Sequence, residues 1–352
     1  MNNIILPILE YFKNYEMDFD VYVVADTQNR TKNLYDFEFL HADETEFFSK
    51  DEFAEIASAI FYVFGYVRVF YSEIEFIEYF LRNNLNSNKF VVYNFSRDGR
   101  ANGKKSLIPA FCDLLKIRYT GSNAFVISLL RNKDVYTTLL EANNIAVPKS
   151  VVYNIGTEIN EINKVFGNCK IIVKNLHESA SIGLTNQNVF NVSNNTAKIL
   201  EKLSQRMQSQ SLFIQEYIDG PEFEVLVVQF KGKYYSLMPI EIILPNSHTY
   251  INTEISNSYQ YEFRIAQPEH VALLCNAATK AASILNIKDY ARFDFRIRNG
   301  IPYLFDIAGT PYTIHHSSIA YLFMNYYNLP YESIYKVITS CMLSNYNLND
   351  YK

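Results

Sequence analysis

The stretch from Tyr290 to Ser318 concentrates the side chains able to do chemistry, and their spacing is that of a β-hairpin followed by a loop. Alternation along Tyr290-Ala291-Arg292-Phe293-Asp294 puts Arg292 and Asp294 on one face of a strand. Asn299-Gly300 predicts a tight turn, and the chain returns through Tyr303, Leu304 and Phe305 to Asp306. Two carboxylates would then meet on paired strands beside a guanidinium. This set suits a magnesium-nucleotide, because Mg2+ takes one or two protein carboxylates and completes its shell with phosphate oxygens, while an arginine can hold a developing anion. Gly309-Thr310-Pro311-Tyr312-Thr313 predicts a tight loop. His315-His316-Ser317-Ser318 reads as a helix start, where backbone amides could grip a carboxylate.

Positioning such a set requires sheets, and the rest of the chain supplies them. In the first third, Asp20–Ala25, Val67–Phe70 and Phe90–Asn94 read as buried strands. Between them lie a helix capped by Ser49-x-x-Glu52, with Phe53, Ile56, Ile60 and Val63 apolar, and a second over about 73–85 with Ile74, Ile77, Phe80 and Leu81 on one side. This alternation predicts a doubly wound parallel sheet. Further on, Lys170–Lys174 and Leu212–Glu216 are apolar strands, and Glu224–Phe230 and Tyr234–Leu244 predict antiparallel neighbours. The polar loop 245–261 has the composition of a lid or of a surface excursion. Helices are predicted from Pro268 to Leu285 and from Pro330 and Glu332 onward. The fold class is α/β, passing to α+β in the C-terminal half.

Composition narrows the function. A net charge of −5 and a pI near 5.8 argue against a nucleic acid held by phosphate contacts, so no nucleic-acid partner is expected. No apolar run approaches the roughly 20 residues that cross a bilayer, and the first residues carry no basic leader pattern, so neither a membrane partner nor export is expected. A cytoplasmic location follows as an expectation. The four cysteines, Cys112, Cys169, Cys275 and Cys341, are too scattered for a disulfide frame or a zinc site.

Over roughly residues 90–320 the motifs follow an order that resembles the ATP-grasp superfamily, and within it the D-alanine–D-alanine ligases. Tyr119-Thr120-Gly121-Ser122 leads to Asn132-Lys133; Lys174 ends a strand before Asn175–Gly183; Gly220-Pro221-Glu222-Phe223 follows a strand and a short connector; and Arg292-x-Asp294 precedes Asp306 and the loop to Ser318. The resemblance implies ATP and Mg2+ as cofactors. It gives Lys133 and Lys174 to the phosphates, and makes Glu178, Ser179 and Ser181 part of a phosphate flap. Gln215, Glu216, Tyr217 and Ile218 become the adenine hinge, with Glu222 on the ribose. Asp294 and Asp306 become the metal ligands. It also implies catalytic roles for Arg292, Ser181 and the backbone near Tyr312, and places His316, Ser317 and Ser318 at the incoming substrate's carboxylate. Some positions depart from the family. Asp306-Ile307-Ala308 stands where the ligases have Glu-x-Asn, Ala180 replaces a substrate-organising serine, and loop 245–261 lacks a lysine at Asn252–Ser256.

The implied reaction is phosphoryl transfer from ATP to a small-molecule carboxylate, followed by attack of an amine on the acyl phosphate. Because the departures cluster on the substrate side and at one metal ligand, while the nucleotide-contact positions are mostly retained, the expected activity is an ADP-forming peptide-type ligase with a substrate other than D-alanine. The alternative is a catalytically impaired ATP-binding regulatory or scaffold protein. Three domains are expected: an N-terminal Rossmann-like unit over 1–125, a central ATP-grasp unit over 126–210, and a C-terminal catalytic unit over 211–352. The family also implies a homodimer through the first.

Overall fold

The computed structural model describes residues 4–28, 46–83, 85–99, 101–177, 181, 183–245 and 248–349. The first unit alternates α1 (Ile5–Asn14), β1 (Asp20–Ala25), α2 (Lys50–Phe64), β2 (Arg68–Phe70), α3 (Glu73–Asn83), β3 (Phe90–Phe95), α4 (Leu107–Leu115) and β4 (Arg118–Tyr119). All its strand pairs are parallel, in the order β2-β1-β3-β4. Successive side chains along β1 and β3 are apolar on both faces, so helices must cover both. Val21, Val23, Val91 and Tyr93 pack under α1 and α2, while Tyr22, Val24 and Val92 pack under α3 and α4. The capping box forms as the sequence predicts: Ser49 Oγ accepts from the Glu52 amide at 3.2 Å, and Glu52 accepts from the Ser49 amide at 2.6 Å. The buried face of α3 differs from expectation. Phe76 and Phe80 point inward and Ile74 and Leu81 outward, because the two rings, one helical turn apart, meet Phe70, Phe90 and Phe111 edge-on.

Two short helices, α5 (Ala124–Leu130) and α6 (Lys133–Ala142), lead to a four-stranded antiparallel sheet, ordered β5-β8-β6-β7. It consists of β5 (Ser150–Asn154), α7 (Asn160–Phe166), β6 (Lys170–Asn175), β7 (Val189–Asn191), α8 (Thr196–Met207) and β8 (Ser211–Glu216). Ile171, Val173, Leu212 and Ile214 face α7 and α8. The alternate residues Ile172, Lys174 and Gln215 face the other way, into a cavity. Because β8 hydrogen-bonds to β5 and β6, it belongs to this sheet, beyond the division expected at residue 210.

The third sheet is antiparallel, ordered β12-β11-β9-β13-β14 with β10 paired to β9. It contains β9 (Glu222–Phe230), β10 (Lys233–Ser236), β11 (Ile240–Ile243), α9 (Thr253–Ser258), β12 (Glu262–Ile265), α10 (Pro268–Ile284), β13 (Tyr290–Arg298) and β14 (Ile301–Ala308); α11 (Ser318–Tyr321) and α12 (Ser333–Asn349) follow. The single strand expected over 234–244 is two, since Leu237 turns its amide onto Leu226 O at 2.8 Å and Pro239 has no amide to give. One face is apolar and packs on α10 through Phe223, Val225, Ala291 and Phe293. The other face is divided. Leu226, Val228 and Tyr290 join the core beneath α12, while Glu222, Glu224, Arg292, Asp294 and Arg296 face the cavity.

A buried chain of hydroxyls ties α12 to the loop after β14 and to β3. Tyr331 Oη donates to Thr313 O at 2.6 Å, Tyr335 Oη pairs with Thr313 Oγ1 at 3.1 Å, and Tyr93 Oη donates to Tyr335 O at 3.0 Å.

Candidate active site

The hairpin at the centre of the sequence forms with the expected register. Asn299 and Gly300 take positive φ values of 53° and 74°, as a two-residue turn requires, and Asp294 lies directly across from Asp306. On the other side of β13, Glu222 pairs with Arg296, Glu224 with Asp294 and Leu226 with Arg292. Side chains of alternate residues share a face, so Glu-x-Glu and Arg-x-Asp-x-Arg make one charged ladder.

Arg292 sits between carboxylates. It donates to both oxygens of Asp294, each at 2.8 Å, and reaches Glu224 at 3.1 Å. Burial opposes its charge, but Asp294 and Glu224 outweigh burial and raise its pKa. Asp294 is pushed up to about 7, chiefly by burial and further by Glu224, with Arg292 pulling the other way. Asp306 moves oppositely: burial would raise it, yet Lys133 and Lys174 hold it below its ordinary value. Tyr136 donates to Asp306 at 3.3 Å. Lys174 donates to Gln215 Oε1 at 3.0 Å and to Phe305 O at 3.4 Å, and burial lowers its pKa. Two carboxylates of unlike proton affinity therefore face one another between cations. Their hard oxygens fit a magnesium ion, whose charge would favour ionisation of both.

The connector after β8 is held by Arg296. Its guanidinium meets Glu222 Oε2 at 3.1 and 2.6 Å, Tyr217 Oη at 2.8 Å, Ile218 O at 3.2 Å and Thr249 O at 2.7 Å. All five donors are used. The loop over 245–261 is tethered across the cavity: Tyr217 donates to Thr249 O at 2.7 Å, Tyr250 to Thr185 O at 2.5 Å and Ser181 to Ile251 O at 3.1 Å.

Lys133, Lys174, Ser181, Gln215, Glu216, Tyr217, Ile218, Glu222, Arg292, Asp294, Asp306 and Tyr312 all line this one cavity. Glu178 and Ser179 lie outside the described residues. His316, Ser317 and Ser318 line an adjoining cavity that shares Glu224, Arg292, Tyr261 and Tyr312 with the first. The Ser317 hydroxyl is already engaged, donating to Ile314 O at 2.7 Å and accepting the Ala320 amide at 3.1 Å as the cap of α11. His316 packs among Tyr259, Tyr261 and Phe263, and burial lowers its pKa. Sequence reasoning passed over Glu224, Arg296 and Tyr261. The period of two from Glu222 and from Asp294 was signal enough for the first two.

The family model for the D-ala D-ala ligase C-terminus matches residues 142–334, more than half of the chain. The chain belongs to this family. It is 28% identical over 213 residues to a D-alanine--D-alanine ligase of Flavobacterium psychrophilum, covering 59% of this chain and 63% of the relative. It is 27% identical over 210 residues to that of Halalkalibacterium halodurans, covering 56% and 64%. The chain thus spans less than two thirds of the length of these relatives. Among solved structures, the D-alanine--D-alanine ligase of Bacillus anthracis complexed with ATP superposes with a TM-score of 0.68 at 15% identity, over 94% of this chain and 99% of that one. The family member described here has the ATP-grasp fold behind an N-terminal doubly wound unit, as its sequence motifs imply.

Proposed function

We propose that the protein is an ATP-dependent carboxylate–amine ligase that forms an amide or peptide bond through an acyl phosphate. The single cavity in which Lys133, Lys174, the connector before Glu222 and the Arg292–Asp294–Asp306 set converge carries this function. The adenine edge meets the backbone of Glu216 and Ile218, beside Gln215 and Tyr217, and the Glu222 oxygen not taken by Arg296 meets the ribose. Lys133 and Lys174 neutralise the phosphates, and Ser181 stands on the flap beside them. Asp294 and Asp306 would hold Mg2+, which supplies charge neutralisation and orientation of the transferred phosphoryl group. Arg292 and backbone amides near Tyr312 stabilise the oxyanion as the amine attacks. The carboxylate of the incoming amino acid lies at His316, Ser317 and Ser318, where the α11 amides, rather than the engaged Ser317 hydroxyl, grip it. The substrates are a small acid and an amine, the place is the cytoplasm, and the assembly is a homodimer through the first of three units.

A second reading is favoured by one observation. Arg292 is locked in a fork on Asp294, and Ala308, two residues past Asp306 and so on its face, offers no ligand. A protein that binds nucleotide without turnover fits that arrangement. Thermal denaturation with and without Mg-ATP, followed by phosphate release against a panel of amino acids and small carboxylates, separates the two. Saturating nucleotide at about 100 times its Kd should stabilise the fold by about 2.7 kcal/mol in either case. Phosphate release that depends on both an acid and an amine is expected; stabilisation with no release from any pair would overturn the ligase.

A further inference from the structure

Behind Arg292, on the side away from the adenine connector, lies a second cavity walled by cations. Arg97, Lys105 and Arg131 line it together with Arg292, and among the described residues Glu46 and Asp306 are the acids on its wall. The Arg97 guanidinium is only 2% exposed, stacked between the Phe48 and Tyr312 rings at 4.4 and 4.0 Å, and it donates to Thr310 O at 3.3 Å. Glu46 is shared by Lys104 at 3.1 Å, by Lys105, and more distantly by Arg97 at 3.9 Å. Among the described residues, Arg97 Nε and Thr310 Oγ1 are buried on this wall without a hydrogen-bond partner. Leaving a buried donor unmade costs about 1–3 kcal/mol, so a wall that keeps two of them fits a ligand that supplies acceptors.

We infer that the acid substrate carries a second anionic group, a carboxylate or a phosphate, seated against Arg97, Lys105 and Thr310 while its reacting carboxylate faces Arg292. This rests on the ligase reading for the reacting end, but the anion seat stands on its own geometry. The two cavities share Arg292, Asp306 and Tyr312, so a molecule a few bonds long can span both. An apolar side chain would leave Arg97 Nε and Thr310 Oγ1 unpaired, and a neutral polar one would leave the cations without a counter-charge, which makes the wall a selector as well as an anchor.

The test measures phosphate release and thermal stabilisation with aspartate, glutamate and O-phosphoserine against alanine and serine, each as both enantiomers, with Mg-ATP present. Thr310→Val keeps the side-chain volume and removes a hydroxyl that bonds to nothing, so folding should be retained; Lys105→Gln is the second variant. A dianionic acid should have a KM at least about ten-fold below that of the neutral acids, and each substitution should raise that KM by about five-fold or more while kcat moves less. Aspartate and glutamate against O-phosphoserine tell a carboxylate seat from a phosphate seat. Alanine or serine used as well as the dianions would overturn the inference and leave the ligase standing. Stabilisation by a dianion that both variants lose, with no phosphate release, would support the seat and sink the ligase. A dianion that neither stabilises the protein nor is turned over would overturn the inference.

Discussion

Glu222 answers to two partners, and only one was visible in the sequence. A ribose contact alone would make it dispensable in the nucleotide-free protein, whereas its carboxylate takes two donors from buried Arg296. Glu222→Gln should therefore lower nucleotide affinity and also destabilise the empty protein by roughly 3–5 kcal/mol, since one member of a buried pair is left uncompensated. Chemical denaturation without nucleotide checks this, and an unchanged midpoint would show that Arg296 finds other acceptors. Lys174 makes the complementary case. Its ammonium leans on Gln215 and on Asp306 from the phosphate side of the cavity, so Lys174→Ala should weaken ATP by roughly 1.5–3 kcal/mol and AMP much less. Calorimetric titration of both nucleotides decides, and equal losses would place the lysine elsewhere.

At the scale of elements, the connector between β8 and β9 depends on Gly220. Its φ of 141° lies where side chains are strained, and a Cβ there would run into the Ile297 carbonyl oxygen on β13. Gly220→Ala should push the connector off β13, costing about 1–3 kcal/mol of stability and weakening ATP and AMP alike, since both share the base. Thermal melts with each nucleotide test this. Period-two alternation made the β13–β14 hairpin readable, with Asp294 across from Asp306, and the same rule extends to Glu224 and Arg296. The rest was not readable for physical reasons. Two of Arg296's acceptors are carbonyls, at Ile218 and Thr249, and a carbonyl carries no sequence signature. Glu46, the pair Arg97 and Lys105 between β3 and α4, and Arg131 come from three separate segments that only the tertiary fold brings together. On α3, Ile74 and Phe76 are both apolar and the helical spacing alone favours Ile74, whereas aromatic neighbours on other elements draw Phe76 inward.

At the scale of the whole molecule, stability should depend on pH through Glu73 at the first turn of α3. Burial and the nearby carboxylates of Asp26 and Asp98 raise its pKa well above 4.5, and the three acids offer oxygens within 4.8 Å of one another. A raised folded-state pKa gives stability that is full below the unfolded value and is lost as pH climbs through the folded one. The melting temperature of Glu73→Gln relative to the parent should therefore rise as pH climbs above the ordinary carboxyl range; a constant difference would mean that Glu73 stays ionised. The hydroxyl chain from Tyr93 through Tyr335 and Tyr331 to Thr313 has another consequence. The loop that carries Tyr312 and His316 is moored at one end to a strand of the first sheet and to the last long helix, by bonds no solvent reaches. Amide protons in that loop should then exchange as slowly as those of β3, through global opening alone, although the segment has no regular secondary structure. Tyr331→Phe would cut the mooring and let the loop exchange ahead of the strand.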